Sequence, residues 1–318
     1  MKRILSLIVI VIMMTALFGC QEKNESASVS KQTDSDNKLS IVATIFPQYD
    51  FTRQIIGERA DLTMLLTPGS ETHSYDPSPQ DIIKIQNCDV FIYTGGESDE
   101  WVNDILTSMD TSSMNIISLM DLVETVEEEL KEGMEEEGEE EAPEYDEHVW
   151  TSPQNAIRIV QSISDTLCKI DEANVDTYTS NTESYINDLK VLDIELKELT
   201  TNANRNTLVF GDRFPLRYFV EEYDLEYWAA FPGCSTETEP SASTVAFLVD
   251  KVREENIPIV FQIELSSGNI ARSIAESASA EVKTFYSCHN VTRDDFEGGA
   301  TYLSLMRKNV ETLKEALY

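Results

Sequence analysis

Short apolar runs alternate with amphipathic stretches from residue 39 to the end of the chain. Leu39-Ser-Ile-Val-Ala-Thr-Ile45 predicts a strand, and a helix follows from Phe46-Pro-Gln-Tyr to Ile56. Leu62 to Leu66 is the next strand, after which Ser78 and Pro79 open a helix as N-cap and first-turn residue. Asp89-Val-Phe-Ile-Tyr-Thr-Gly and Asn115-Ile-Ile-Ser-Leu are two further strands, separated by a helix over Trp101 to Met109. Such alternation predicts a parallel sheet covered on both faces. Between Glu172 and Asn204 there is no Gly or Pro. Val175, Tyr178, Tyr185, Ile186, Leu189, Leu192, Leu196 and Leu199 recur there at three- and four-residue spacing. At ~1.5 Å per residue this is a rod of about 45 Å; two helices broken near Asn187 are the alternative. The same grammar then repeats. Thr207–Phe210, Leu225–Ala230, Pro258–Ile263 and Glu281–Tyr286 are strands, with helices near Leu216–Glu222, Ser241–Glu255, Gly268–Ala278 and Thr301–Leu317. The expected architecture is α/β with two lobes, each a small parallel sheet covered by helices, joined by one long rigid helix. The lobes span 39–171 and 205–318, and the connecting helix 172–204.

Two regions break the pattern. At the N-terminus, Lys2-Arg3 precedes an apolar run to Phe18 and then Gly19-Cys20, the form of an export signal over residues 1–19. Leu17-Phe18-Gly19-Cys20 resembles a bacterial lipobox, which makes Cys20 the lipidated residue and places the chain outside the cytoplasm, anchored to the cell membrane by that lipid. Residues 20–38 are polar and read as a flexible tether. The second break is Asp121–Glu147, where fifteen of 27 residues are acidic against a single Lys. Its composition predicts a disordered, solvated loop, either a solubilising insertion or a weak collector of cations beside a site.

Charge narrows the partners. Asp and Glu number 58 against 24 Lys and Arg, a net charge of -34. Phosphate backbones repel such a surface, so nucleic acid is excluded and cations are the natural small partners. Export permits a disulfide, and Cys234 with Cys288, each at a predicted strand end, is the candidate pair, with a free thiol beside His289 as the alternative. Cys88 and Cys168 read as small buried residues.

The three histidines of the chain all fall in loops after apolar runs. His73 follows Leu62–Leu66, His148 stands in Asp146-Glu-His-Val-Trp150, and His289 follows Glu281–Tyr286. A lone histidine is commonly a satisfied core residue. Three at strand ends point instead to metal, because ligand sites in open parallel sheets lie outside the carboxyl ends of the strands. With two histidines from the first lobe and one from the second, the site is expected between lobes.

Gly69-Ser-Glu-Thr-His73-Ser-Tyr-Asp-Pro-Ser-Pro79 resembles the first signature of the zinc and manganese solute-binding proteins of ABC transporters. Asp146-Glu-His148-Val-Trp-Thr-Ser-Pro153 is similar to their second, usually Asp-Pro-His-x-Trp. Thr238-Glu-Pro-Ser-Ala and Val260-Phe-Gln-Ile-Glu match further landmarks, and the resemblance spans about residues 39–318. It implies a monomeric extracytoplasmic binding protein that captures a divalent metal between lobes and delivers it to an ABC permease, with no enzymatic activity. Its metal ligands carry over to His73 and His148 in the first lobe and to His289 near the last strand, where a carboxylate is more usual. The remaining position departs from the pattern. One alignment places Gly211 there and another Arg213, neither able to bind a cation, so Asp212 or a water molecule completes the shell. Three imidazoles with at most one carboxylate favour Zn²⁺ over the alternative, Mn²⁺, which leans towards oxygen. A metallohydrolase is the competing class, with Glu264 as the one nameable general base; there is no His-Glu-x-x-His helix. A surface adhesin is a third class, for which no residue argues.

Overall fold

The computed structural model describes residues 38–71, 75–134, 145–235 and 239–318. The lipobox with Cys20, the tether up to residue 37 and His73 itself lie outside the described residues.

Two four-stranded parallel sheets organise the chain. The first contains β1 (Ser40–Ala43), β2 (Asp61–Met64), β3 (Val90–Tyr93) and β4 (Asn115–Ser118) in the order β2-β1-β3-β4. The second contains β5 (Thr207–Phe214), β6 (Glu226–Pro232), β7 (Ile259–Ile263) and β8 (Glu281–Phe285) in the order β6-β5-β7-β8. In each, the second strand in the sequence lies on one side of the first and the third on the other. The connections therefore diverge at the carboxyl ends of β1 and β3, and of β5 and β7, where such sheets open a crevice.

Helices α1 (Phe46–Ile56), α2 (Pro79–Gln86) and α3 (Glu100–Ser108) belong to the first sheet. Helices α6 (Arg217–Glu222), α7 (Ala242–Glu254), α8 (Asn269–Ala278), α9 (Arg293–Glu297) and α10 (Tyr302–Leu317) follow β5 in sequence. Several starts are fixed by the side chains the sequence supplies. Ser78 accepts from Asp81 N, Ser152 from Asn155 N, Ser241 from Thr244 N and Thr301 from Ser304 N, each satisfying an amide that a helix start leaves over.

Between the sheets run α4 (Pro153–Ile170) and α5 (Val175–Thr201). The long helix is continuous through Asn187, with a 3₁₀ turn over Glu172–Asn174 where its first residues were expected. Tyr178, Tyr185, Ile186, Leu189, Leu192, Leu196 and Leu199 form its buried stripe. Asp193 is buried on it too, accepting from Gln154 and Tyr223 and pairing with Lys197. This carboxylate ties the rod to α4 and to the end of α6. One continuous apolar core runs beneath both sheets, from Ile41 and Phe51 through Trp150 and Leu189 to Phe210, Phe285 and Tyr302.

Two expectations are corrected. The acidic stretch is not wholly solvated. Asp146 N donates to Val126 O, Val126 N to Tyr218 Oη, and Glu128 accepts from Cys234 N at 2.9 Å. Met134 is buried as well. The few apolar residues dispersed among the acids are enough to seat both ends of the segment; residues 135–144 lie outside the described residues. Secondly, Cys234 and Cys288 are free thiols and form no disulfide. Their surroundings differ: Cys234 faces Glu147, Glu128 and Asp146, whereas Cys288 lies near Glu264 and Asp50.

Candidate metal centre

His148 begins the 3₁₀ turn Val149–Thr151 that leads through Ser152 into α4. It is fully buried, and its backbone N and Nδ1 both contact Asp146 Oδ1, at 2.7 and 3.0 Å. A proton on Nδ1 satisfies that contact and makes Nε2 the candidate donor to a metal. Asp146 is itself held, since its carbonyl accepts from Tyr218 Oη at 2.7 Å. Burial lowers the His148 pKa, but Asp146, Glu147 and Glu128 outweigh it and hold the imidazole above its usual value.

His289 reaches the same place from the loop after β8. The two imidazole rings stand edge to face, centroids 5.0 Å apart, with Trp150 5.0 Å from His289. Trp150, in the turn before α4, is held by the second half of the chain: its Nε1 donates to Ser287 O at 2.9 Å, and its carbonyl accepts from Tyr302 Oη at 2.8 Å. The His289 loop is shaped by Glu264 at the end of β7. That carboxylate accepts from Ser287 N, Ser287 Oγ and His289 N at 2.7, 2.8 and 3.2 Å. Burial pushes its pKa up to about 7 despite these bonds. The residue named as a candidate general base is thus engaged in holding a loop.

Glu147 completes the cluster. One ligand atom each of Glu147, His148 and His289 lies within 4.8 Å of the others. Four ligands at ~2.0–2.1 Å from zinc stand about 3.3 Å apart, so small side-chain rotations suffice to bring these atoms to a common ion. Glu147 was passed over in the sequence because it is the last of a run of acids.

The residues that lead to His73, from Thr67 to Glu71, are fastened to β5 and to the loop after β8. Gly69 N donates to Val291 O at 2.8 Å, and Asn290 Nδ2 donates to Thr67 O and Ser70 O. Arg213 grips Glu71 with two 3.2 Å hydrogen bonds. Arg213 is therefore a clamp on that loop. Asp212 accepts from Arg213 N at 2.9 Å and Ile263 N at 3.3 Å. Burial raises its pKa, and bonds from Ser266 and those amides draw it back. It stands outside the Glu147–His148–His289 group.

Residues 41–316 match the family described as zinc-uptake complex component A, periplasmic. The chain belongs to this family. Among curated members, the zinc-binding lipoprotein AdcA of Streptococcus pneumoniae is 32% identical over 288 residues, covering 90% of this chain and 57% of AdcA. This chain thus spans little more than half the length of that relative. The high-affinity zinc uptake system protein ZnuA of Bacillus subtilis is 28% identical, with 92% of each chain covered. The Zn(II)-bound ZnuA-like domain of S. pneumoniae AdcA superposes with a TM-score of 0.73 at 29% identity, covering 88% of this chain and 99% of the domain. Two four-stranded parallel sheets covered by helices are the two-lobed α/β fold of this zinc-uptake family.

Proposed function

We propose that this chain is the extracytoplasmic, lipid-anchored binding component of an ABC importer, taking up zinc and delivering it to the permease as a monomer. The observation that carries the reading is the buried His148–His289 pair, with one imidazole oriented by Asp146 and a carboxylate alongside. Membership of the zinc-uptake family and the zinc-binding names of relatives support it. His73, two residues beyond the clamped Glu71, is the third imidazole of the reading. The cluster's nitrogen-rich donors suit Zn²⁺ better than Mn²⁺, which favours oxygen.

The test is calorimetric titration of chelator-stripped protein with Zn²⁺ and separately with Mn²⁺. The expected result is tight stoichiometric zinc, weaker manganese, and loss of tight zinc binding in His73→Ala, His148→Ala and His289→Ala. Parent-like zinc affinity in all three variants would overturn the site.

A further inference from the structure

The end of β5 leaves the centre without a donor. A Cβ at Gly211 would run into the backbone of Ala271 on α8, with Ala271 N only 2.6 Å away. No side chain fits there. Asp212 is turned to the Ile263 amide and Arg213 to Glu71. Three consecutive residues are therefore committed elsewhere.

On the opposite side, a carboxylate is built into the cluster. Glu147 is 1% exposed. Its Oε2 accepts from Ser98 N at 3.1 Å and its Oε1 from Ser98 Oγ. These bonds fix the direction of the group, and one of its oxygens lies within 4.8 Å of the donor atoms of His148 and His289. Space for it is reserved by Gly96. With φ of 85°, that residue occupies backbone space where L side chains are strained, and a Cβ there would stand 2.8 Å from Glu147 Oε2 and 2.9 Å from its Cβ. Where the resembled motif usually reads Asp-Pro-His, this chain reads Asp146-Glu147-His148.

We propose that Glu147 is a metal ligand in this protein, supplying from the turn before α4 the oxygen that β5 does not provide. The assignment rests on zinc capture by His148 and His289, and extends it to a donor set in which adjacent residues of one turn contribute a carboxylate and an imidazole. Ser98 is then a positioning residue that aims the carboxylate. The anionic donor also offsets part of the charge of the ion in a site walled by Trp150 and Ile45, where an uncompensated dication is costly.

The experiment uses the whole chain, stripped of metal, with Zn²⁺ affinity read by chelator competition and geometry by the visible absorption of bound Co²⁺. Glu147→Gln keeps the size and removes the charge. We expect a loss of zinc affinity beyond about a hundredfold, outside the ~10–100-fold typical of groups that only orient ligands. The Co²⁺ spectrum should change, and the metal-free melting temperature should hold. Ser98→Ala should cost less, within about tenfold to a hundredfold. A smaller loss in Glu147→Gln with an unchanged Co²⁺ spectrum would overturn the proposal and leave Glu147 as an acceptor for Ser98. Should that variant fail to fold, Glu147→Asp retains the charge on a shorter arm: an altered Co²⁺ spectrum supports coordination and an unaltered one refutes it. Parent-like zinc affinity in both His148→Ala and His289→Ala would instead show that the site reading itself is wrong.

Discussion

The turn Asp146–Trp150 and the end of β5 face the same crevice and are finished in opposite ways. In the turn, Asp146, Tyr218 and Ser98 spend their hydrogen bonds on orienting His148 and Glu147 towards a common point. At β5, Asp212 and Arg213 are engaged instead by Ile263, Glu71 and Ser235. One edge presents donors and the other provides fasteners. On the proposed ligand set, the oxygen that β5 does not supply comes from the turn before α4, while β5 fastens the facing loop.

The sharpest way to break this contrast is to remove the oriented imidazole. His148→Ala should lower zinc affinity by on the order of a thousandfold or more, well past the effect of losing an orienting partner, as measured by chelator competition. If the loss is slight, the turn is not the donor edge. Next in size is an attempt to restore a side chain to β5. Gly211→Ala, colliding with Ala271, should destabilise the fold by about 3 kcal/mol, the upper range for overpacking. Urea denaturation would measure it, and an unchanged midpoint would show that the strand can yield.

Acidity should act on the two quantities in opposite directions. Zinc needs deprotonated ligands, and the raised pKa of His148 lets protons compete from a higher pH. Binding should thus weaken steadily from pH 8 to pH 5; a flat profile would point to an all-oxygen site. Metal-free stability carries the reverse contribution from Asp99, whose buried carboxyl has its pKa raised from 3.8 to about 7. Between those values the folded state holds a proton that the unfolded chain has released. The stabilising contribution is complete at low pH and disappears as pH rises through about 7. Asp99→Asn, which can still accept from Thr94 N, should gain stability over the parent as pH rises from 5 to 8 in thermal melts with chelator present. A constant difference would refute this. The smallest effect belongs to Asp212→Asn, for which zinc affinity should change by less than about tenfold. A hundredfold loss would return Asp212 to the donor set and erase the contrast.

The two parallel sheets and the long helix were legible because alternating apolar runs and three- and four-residue spacing report directly on burial. His148 and His289 were legible through their scarcity and their place after strands. Glu147 was hidden by its neighbours: in a run rich in acids, no composition marks the one that turns inward. A Glu standing where the resembled motif usually has Pro was the available signal. Arg213 was ambiguous for a different reason, since its partner Glu71 lies 142 positions away and only the fold joins them. The packed ends of the acidic segment were missed because Val126 and Met134 are too sparse to register as a pattern, although each is seated by contacts from distant residues.

The apolar core shared by both sheets has a thermodynamic consequence. Elements that melt together share whatever free energy is added at any one point of them. An ion held at the seam is then linked to the integrity of the whole body from Lys38 to Tyr318. Zinc at a hundred times its dissociation constant would add about 2.7 kcal/mol to that single transition. Occupied and vacant molecules would accordingly differ in lifetime against proteases as well as in cargo.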